Sequence, residues 1–90
     1  MRLTIIRKQH NDTMFAYNER TYETTNDDII LDFLNEYDGE GNIREWVEEN
    51  IRYMNTLHNQ MSLGFNEDDC RTIDYYIVFD NDKTKLSVNC

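Results

Sequence analysis

Apolar residues recur at helical spacing along the stretch from Gly41 to Leu63. Steps of three and four residues separate them, which is the period of an α-helix with one apolar stripe. The polar side chains fall on the opposite side. The pattern predicts one long amphipathic helix in which Trp46, the only tryptophan of the chain, anchors the core. The apolar stripe consists of Ile43, Trp46, Val47, Ile51, Met54, Leu57 and Met61.

A second helix is predicted just before this one. Thr25 or Asn26 can cap its start, and two aspartates follow in the first turn, where the helix dipole favours negative charge. Gly39 is placed for a left-handed cap at its end. Residues 26–63 therefore predict an αα-hairpin. The core-facing side of the first helix consists of Ile29, Ile30, Phe33, Leu34 and Tyr37.

Strand patterns lie on both sides of the helical region. Leu3 and Ile5 alternate with polar residues, as in a half-buried strand. A polar segment at residues 9–12 interrupts this pattern and is followed by a second strand pattern, so residues 2–17 are predicted to form a hairpin. Residues 18–20 read as a further break. The order ββ(β)ααββ predicts a single small α+β domain over residues 1–90, with an antiparallel sheet packed against a helical hairpin. The predicted strands are 2–8, 13–17, 21–23 (or a loop), 72–79 and 83–88.

Charge narrows the classes of partner. The chain has eighteen acidic and nine basic residues, which gives a formal net charge of −9. Direct binding to nucleic acid or to an anionic membrane is disfavoured, because both require Lys and Arg. Residues 21–69 hold thirteen acidic residues against only Arg44 and Arg52. A basic protein is therefore the expected partner.

The acidic residues of the two predicted helices are regularly spaced. Asp28, Asp32 and Glu36 follow steps of four, as do Glu45 and Glu49, and such neighbours lie roughly 6 Å apart and repel each other. A row of carboxylates at this spacing can imitate nucleic-acid phosphates, whereas the alternative is a solvated face that keeps the protein soluble. The predicted partner-binding residues are Asp28, Asp32, Glu36, Glu40, Glu45, Glu48, Glu49, Glu67, Asp68 and Asp69.

The segment between the two helices has some features of a calcium loop. Asp38, Glu40, Asn42 and Glu49 occupy the first, third, fifth and twelfth positions of an EF-hand. The sixth position requires glycine for a sharp turn, and Ile43 stands there instead. An ordinary helix–helix loop is therefore the better interpretation, and no metal is predicted.

No other pattern predicts catalysis or a cofactor. His10 and His58 have no partner at metal-binding spacing, and Ser62 and Ser87 lack a nucleophile motif. The prediction is a protein that is not an enzyme.

The cysteines and the apolar runs bear on the compartment. Cys70 and Cys90, the only cysteines, are predicted to be free thiols. No apolar run is long enough for a membrane span or a signal-peptide core, which predicts a cytoplasmic protein with no membrane contact.

Asn, Asp, Ile and Tyr are frequent and proline is absent, a residue usage typical of proteins from AT-rich genomes. In this usage, in length, in acidity and in the lack of a catalytic motif, the chain resembles the small acidic inhibitors made by bacteriophages, which include anti-CRISPR and anti-restriction proteins. This resemblance implies an inhibitor that blocks a basic nucleic-acid-handling host protein, such as a Cas nuclease complex or a restriction enzyme, in the cytoplasm of the host cell. Mimicry and other modes of blocking both remain open, as does a homodimer. The alternative is a non-enzymatic oligomeric structural or adaptor module that uses apolar sheet surface at Tyr76 and Val78.

Overall fold

The fold is a five-stranded antiparallel sheet with two α-helices against one face, which confirms the predicted α+β class. The computed structural model describes residues 1–11, 16–36, 43–79 and 82–90. The elements are β1 (Leu3–His10), β2 (Tyr17–Thr24), α1 (Asp27–Glu36), α2 (Ile43–Asn50), β3 (Asn55–Met61), β4 (Thr72–Phe79) and β5 (Asp82–Asn89), with 3₁₀ turns at Ile51–Tyr53 and Glu67–Asp69.

The strand order in the sheet is β3-β2-β1-β4-β5. The first strand of the chain lies at the centre, where Ile5 is opposite Tyr22 of β2 and Ile77 of β4. β3 and β5 form the two edges. Hairpins connect β1 to β2 and β4 to β5, whereas the chain returns after the helices to the free side of β2 as β3 and then crosses to the free side of β1 as β4.

Alternation along the central strands determines which face of the sheet is buried. The inward side chains of β1 and β4 meet the inner sides of α1 and α2, because helices must cover the apolar face of a sheet. Phe33 of α1 and Trp46 of α2 pack with their ring centroids 5.2 Å apart. The core consists of Leu3, Ile5, Tyr22, Ile30, Phe33, Trp46, Val47, Met54, Ile73, Tyr75 and Ile77.

The start of α1 lies where the sequence predicted it. The side chain of Asn26 accepts hydrogen bonds from the backbone N–H groups of Asp28 (2.9 Å) and Ile29 (3.2 Å), so Asn26 is the cap. Leu34, which was placed on the core side, is 40% exposed, and the predicted stripe is therefore too wide at this end. Tyr37 and Gly39 lie outside the described residues.

The predicted long helix over residues 41–63 is wrong beyond Asn50. The chain leaves α2 through a 3₁₀ turn and then forms β3, so that Leu57 and Met61 are exposed strand residues rather than core residues. Residues 55–60 include Asn, Thr and His, which are poor helix formers. Pairing with β3 satisfies the backbone N–H and C=O groups on the side of β2 that faces away from β1. A longer helix would leave these groups of β2 without a strand partner.

The interpretation of residues 18–23 also changes. The predicted break at 18–20 is wrong, because β2 runs unbroken from Tyr17 to Thr24 and residues 21–23 belong to it. Asn18 is buried and its amide donates to the side-chain carbonyl of Gln9 on β1 (3.2 Å), so a polar residue can occupy the interior of this strand. Of the predicted strand at 13–17, residues 13–15 lie outside the described residues.

The prediction of free thiols is wrong as well, because the structure joins Cys70 and Cys90 in a disulfide. The antiparallel register of β4 and β5 sets Thr72 opposite Asn89, which brings the two flanking cysteines to 5.9 Å between Cα atoms. Sequence separation alone does not reveal this proximity. Disulfides persist mainly in oxidising compartments, and the cytoplasmic location stays a prediction. Among the described residues, no helix has the length and apolar character needed to cross a membrane.

Candidate protein-binding surface on the helical layer

The outward sides of α1 and α2 carry most of the predicted binding residues. Asp28, Asp32 and Glu36 are exposed along α1, and Glu45 and Glu49 are exposed along α2. The apolar sides of the same helices are held in the core. Because the helices form one layer over the sheet, these carboxylates belong to one surface, which we call the acidic helical surface.

Three of these carboxylates surround a shallow depression. Glu36 of α1 and Glu45 and Glu49 of α2 line a cavity of about 200 Å³ together with Trp46. The sequence predicted the acidic residues but assigned Trp46 only to the core. A carboxylate-lined depression beside an indole suits the head group of Lys or Arg, since carboxylates pair with the charge and an aromatic face attracts a cation.

A hydrogen bond between the helices fixes the position of Trp46. Its indole N–H donates to a carboxylate oxygen of Asp32 over 2.6 Å. The amide of Asn50 donates to the backbone carbonyl of Trp46, one turn before the end of α2. Asp32 therefore holds α1 against α2, in addition to carrying charge at the surface.

Glu48 has a different environment from its neighbours on α2. Its Oε1 accepts from Nε of Arg7 (3.0 Å) and from the hydroxyl of Tyr75 (2.5 Å). The side chain of Arg7 is only 12% exposed and Tyr75 is fully buried. Glu48 thus links α2 to strands β1 and β4, and its carboxylate is engaged within the molecule.

This contact affects the acidity of Tyr75. Burial raises the pKa of its phenol, the hydrogen bond and the negative charge of Glu48 raise it further, and Arg7 opposes them. The resulting pKa is about 12. Tyr75 is therefore a neutral hydrogen-bond donor in the folded protein across the physiological range.

The remaining predicted residues lie elsewhere. Glu67, Asp68 and Asp69 are exposed in the 3₁₀ turn before β4, where the side chain of Asn66 accepts from the backbone N–H of Asp68 (3.1 Å). Glu40 lies outside the described residues, as does the rest of the segment 38–42 that was compared with an EF-hand loop. Among the residues that the structure describes, no group of three or more His, Cys, Asp or Glu side chains can hold a metal ion.

The sheet face away from the helices carries a cluster that the sequence analysis did not identify. The ammonium groups of Lys8, Lys83 and Lys85 lie 5.5, 5.0 and 5.7 Å from the ring centroid of Tyr76. They come from β1 and β5, on either side of β4, so only the strand register brings them together. This face therefore presents cations around Tyr76 rather than a bare apolar surface.

The lysines around Tyr76 have acidic neighbours, because Lys8 lies 3.6 Å from Glu19 and Lys85 lies 3.8 Å from Asp74. No protein-family model, curated protein or solved structure matches this chain.

Proposed function

We propose that this chain is an acidic inhibitor that binds a basic nucleic-acid-handling protein, such as a Cas nuclease complex or a restriction enzyme, through the acidic helical surface. The observation that most supports this proposal is the convergence of Glu36, Glu45 and Glu49, from two helices, around Trp46. Solubility requires dispersed surface charge, but it does not require carboxylates from two elements to line one depression.

The surface would act by occupying the site at which the target binds phosphate. Carboxylates one helical turn apart lie roughly 6 Å from each other, a separation comparable to that of successive phosphates along a nucleic-acid strand. Arg and Lys side chains of the target would pair with them, and the high negative charge would accelerate encounter. Such an inhibitor competes with DNA and loses affinity as salt rises.

Two acidic residues of the helices make contacts inside the protein, and the test therefore leaves them unchanged. Asp32 holds Trp46 and Glu48 holds Arg7 and Tyr75, so changing either one would disturb the packing of the helices. Glu36, Glu45 and Glu49 are exposed and line the depression, and they are the residues to test.

The test is a triple charge reversal, Glu36→Lys, Glu45→Lys and Glu49→Lys. The matched control reverses Glu67, Asp68 and Asp69 to Lys, which changes the net charge equally but at the 3₁₀ turn before β4. Inhibition of DNA cleavage is measured with purified Cas effectors and restriction enzymes, at low and high salt and at several DNA concentrations. The helical variant should lose at least about tenfold in inhibition, because several interfacial charge pairs become repulsive, and the control should lose much less.

Three outcomes would contradict the proposal. The first is a wild type that inhibits none of these enzymes, and the second is a helical variant that inhibits as well as the wild type. The third is an equal loss of inhibition in both variants, which would indicate that total net charge, rather than this surface, determines binding. Association with a different protein that resists high salt would instead favour the adaptor module at Tyr76 and Val78.

A further inference from the structure

The two edges of the sheet differ in their protection against pairing with another strand. β5 carries Lys83 and Lys85, and charged residues of this kind discourage edge-to-edge association. β3 contains no Lys, Arg, Asp, Glu or Pro, and all seven of its residues are exposed. One edge is therefore protected by charge and the other is open.

The open edge lies in the longest uncharged region of a highly charged chain. Residues 53–66 contain no Asp, Glu, Lys or Arg. The region nevertheless exposes large apolar side chains, whose burial would favour association. They are Tyr53 (68% exposed), Leu57 (56%), Met61 (63%) and Leu63 (101%).

The backbone of β3 offers hydrogen-bonding groups at this edge. The N–H of Ser62 donates to the carbonyl of Tyr17 at the start of β2 (2.8 Å), so Ser62 directs its backbone toward β2. Direction alternates along a strand, and Asn59 and Met61 therefore direct their N–H and C=O groups outward. The pairing of β2 with β3 is irregular between His58, opposite Thr21, and Thr56, opposite Tyr22, so Leu57 is the bulged residue and residues 58–61 are the regular part of the strand.

We propose that β3 pairs antiparallel with β3 of a second copy of this chain, about a twofold axis at Asn59 that is perpendicular to the sheet. The outward groups of Asn59 then bond to their equivalents, and Leu57 of each copy lies opposite Met61 of the other. This register places the two exposed apolar residues of the strand against each other twice. The result is one continuous sheet through both copies, with both helical layers on the same side.

A second copy suits this edge better than a basic partner does. Two chains of net charge −9 repel each other, and the uncharged edge is where they can approach without opposing carboxylates. Salt should strengthen the dimer by screening that repulsion, opposite to its effect on binding through the acidic helical surface. The inference stands whether or not that surface binds an inhibited enzyme.

The decisive variant is Asn59→Pro, with Asn59→Ala as its control. Proline removes the outward N–H, whereas the strand residues that face β2 keep theirs. Mass is measured across a concentration range by analytical ultracentrifugation, with far-UV circular dichroism to check folding. The wild type and Asn59→Ala should reach twice the 10.9 kDa monomer mass, and Asn59→Pro should dimerise at least about tenfold more weakly.

A second variant keeps the test decisive if Asn59→Pro does not fold. Met61→Lys leaves the backbone groups intact but places a charge opposite Leu57 of the other copy, and it should also weaken the dimer. Hydrogen exchange provides an independent measurement, because the amides of Asn59 and Met61 should become protected only where the dimer forms. A wild type that stays monomeric, a folded variant that dimerises as strongly as the wild type, or a dimer with these amides unprotected would overturn the proposal.

Discussion

Replacing Tyr75 by Phe tests the link between α2 and the sheet. The ring remains in the core, and Arg7 keeps its ion pair with Glu48, so the change removes one hydrogen bond to a charged acceptor. Such bonds contribute about 1.5 kcal/mol to the free energy of unfolding. In a domain of this size the midpoint of thermal unfolding should fall by about 6–12 °C.

The same hydroxyl makes stability depend on alkaline pH. The pKa of Tyr75 is about 12 in the folded protein, against an ordinary value of 10.0, so the folded state retains the proton when the unfolded state has lost it. This contribution is about 2.7 kcal/mol below pH 10, decreases as the pH rises from 10 through 12, and is lost completely only above pH 12. Phe has no proton to lose, and Tyr75→Phe should become the more stable protein above about pH 11.

The assay is equilibrium unfolding in urea, followed by far-UV circular dichroism from neutral pH to above pH 11 under non-reducing conditions. Tyr53→Phe is the matched control, because Tyr53 is 68% exposed and its surroundings change little on unfolding. Tyr75→Phe should be less stable than the wild type at neutral pH and more stable above about pH 11, whereas Tyr53→Phe should show no such reversal. A difference in the free energy of unfolding between Tyr75→Phe and wild type that stays constant over this range would show that the pKa of Tyr75 is not raised by folding.

Two further predictions concern the cross-link and the turn after β3. Changing Cys70 and Cys90 together to Ser should lower the free energy of unfolding by about 3 kcal/mol, since the disulfide closes a loop with a sequence separation of 20. A reductant should lower the midpoint of thermal unfolding of the wild type but not that of the variant. A wild type whose midpoint does not change on reduction would contradict this prediction. Gly64→Ala should cost about 1 kcal/mol in thermal unfolding because Gly64 has φ +85°, and no atom lies within 4 Å of the added methyl group, so the cost is in the backbone. Asn at this position should be tolerated better than Ala, and equal stability of Gly64 and Ala would contradict the argument.

The candidate surface was only partly predictable. Steps of four along each helix correctly placed Glu36, Glu45 and Glu49 on exposed helical positions. The contacts that give Asp32 and Glu48 a structural role join residues far apart in the chain, and helical spacing contains no information about them. For the same reason, the lysines around Tyr76 became visible only through the register of three strands.

Local patterns in the sequence determined the fold class. Alternation predicted β1 and β4, and a capping residue with an apolar stripe predicted α1 and the first two turns of α2, because these signals act between residues close in the chain. Tertiary structure decided the rest. Apolar steps of three and four continue through Leu57 and Met61, yet this segment is a strand, since the free side of β2 requires a partner for its backbone groups. The Cys70–Cys90 bond likewise depends on the register between β4 and β5, which places the residues flanking the two strands side by side and which the spacing of the cysteines does not reveal.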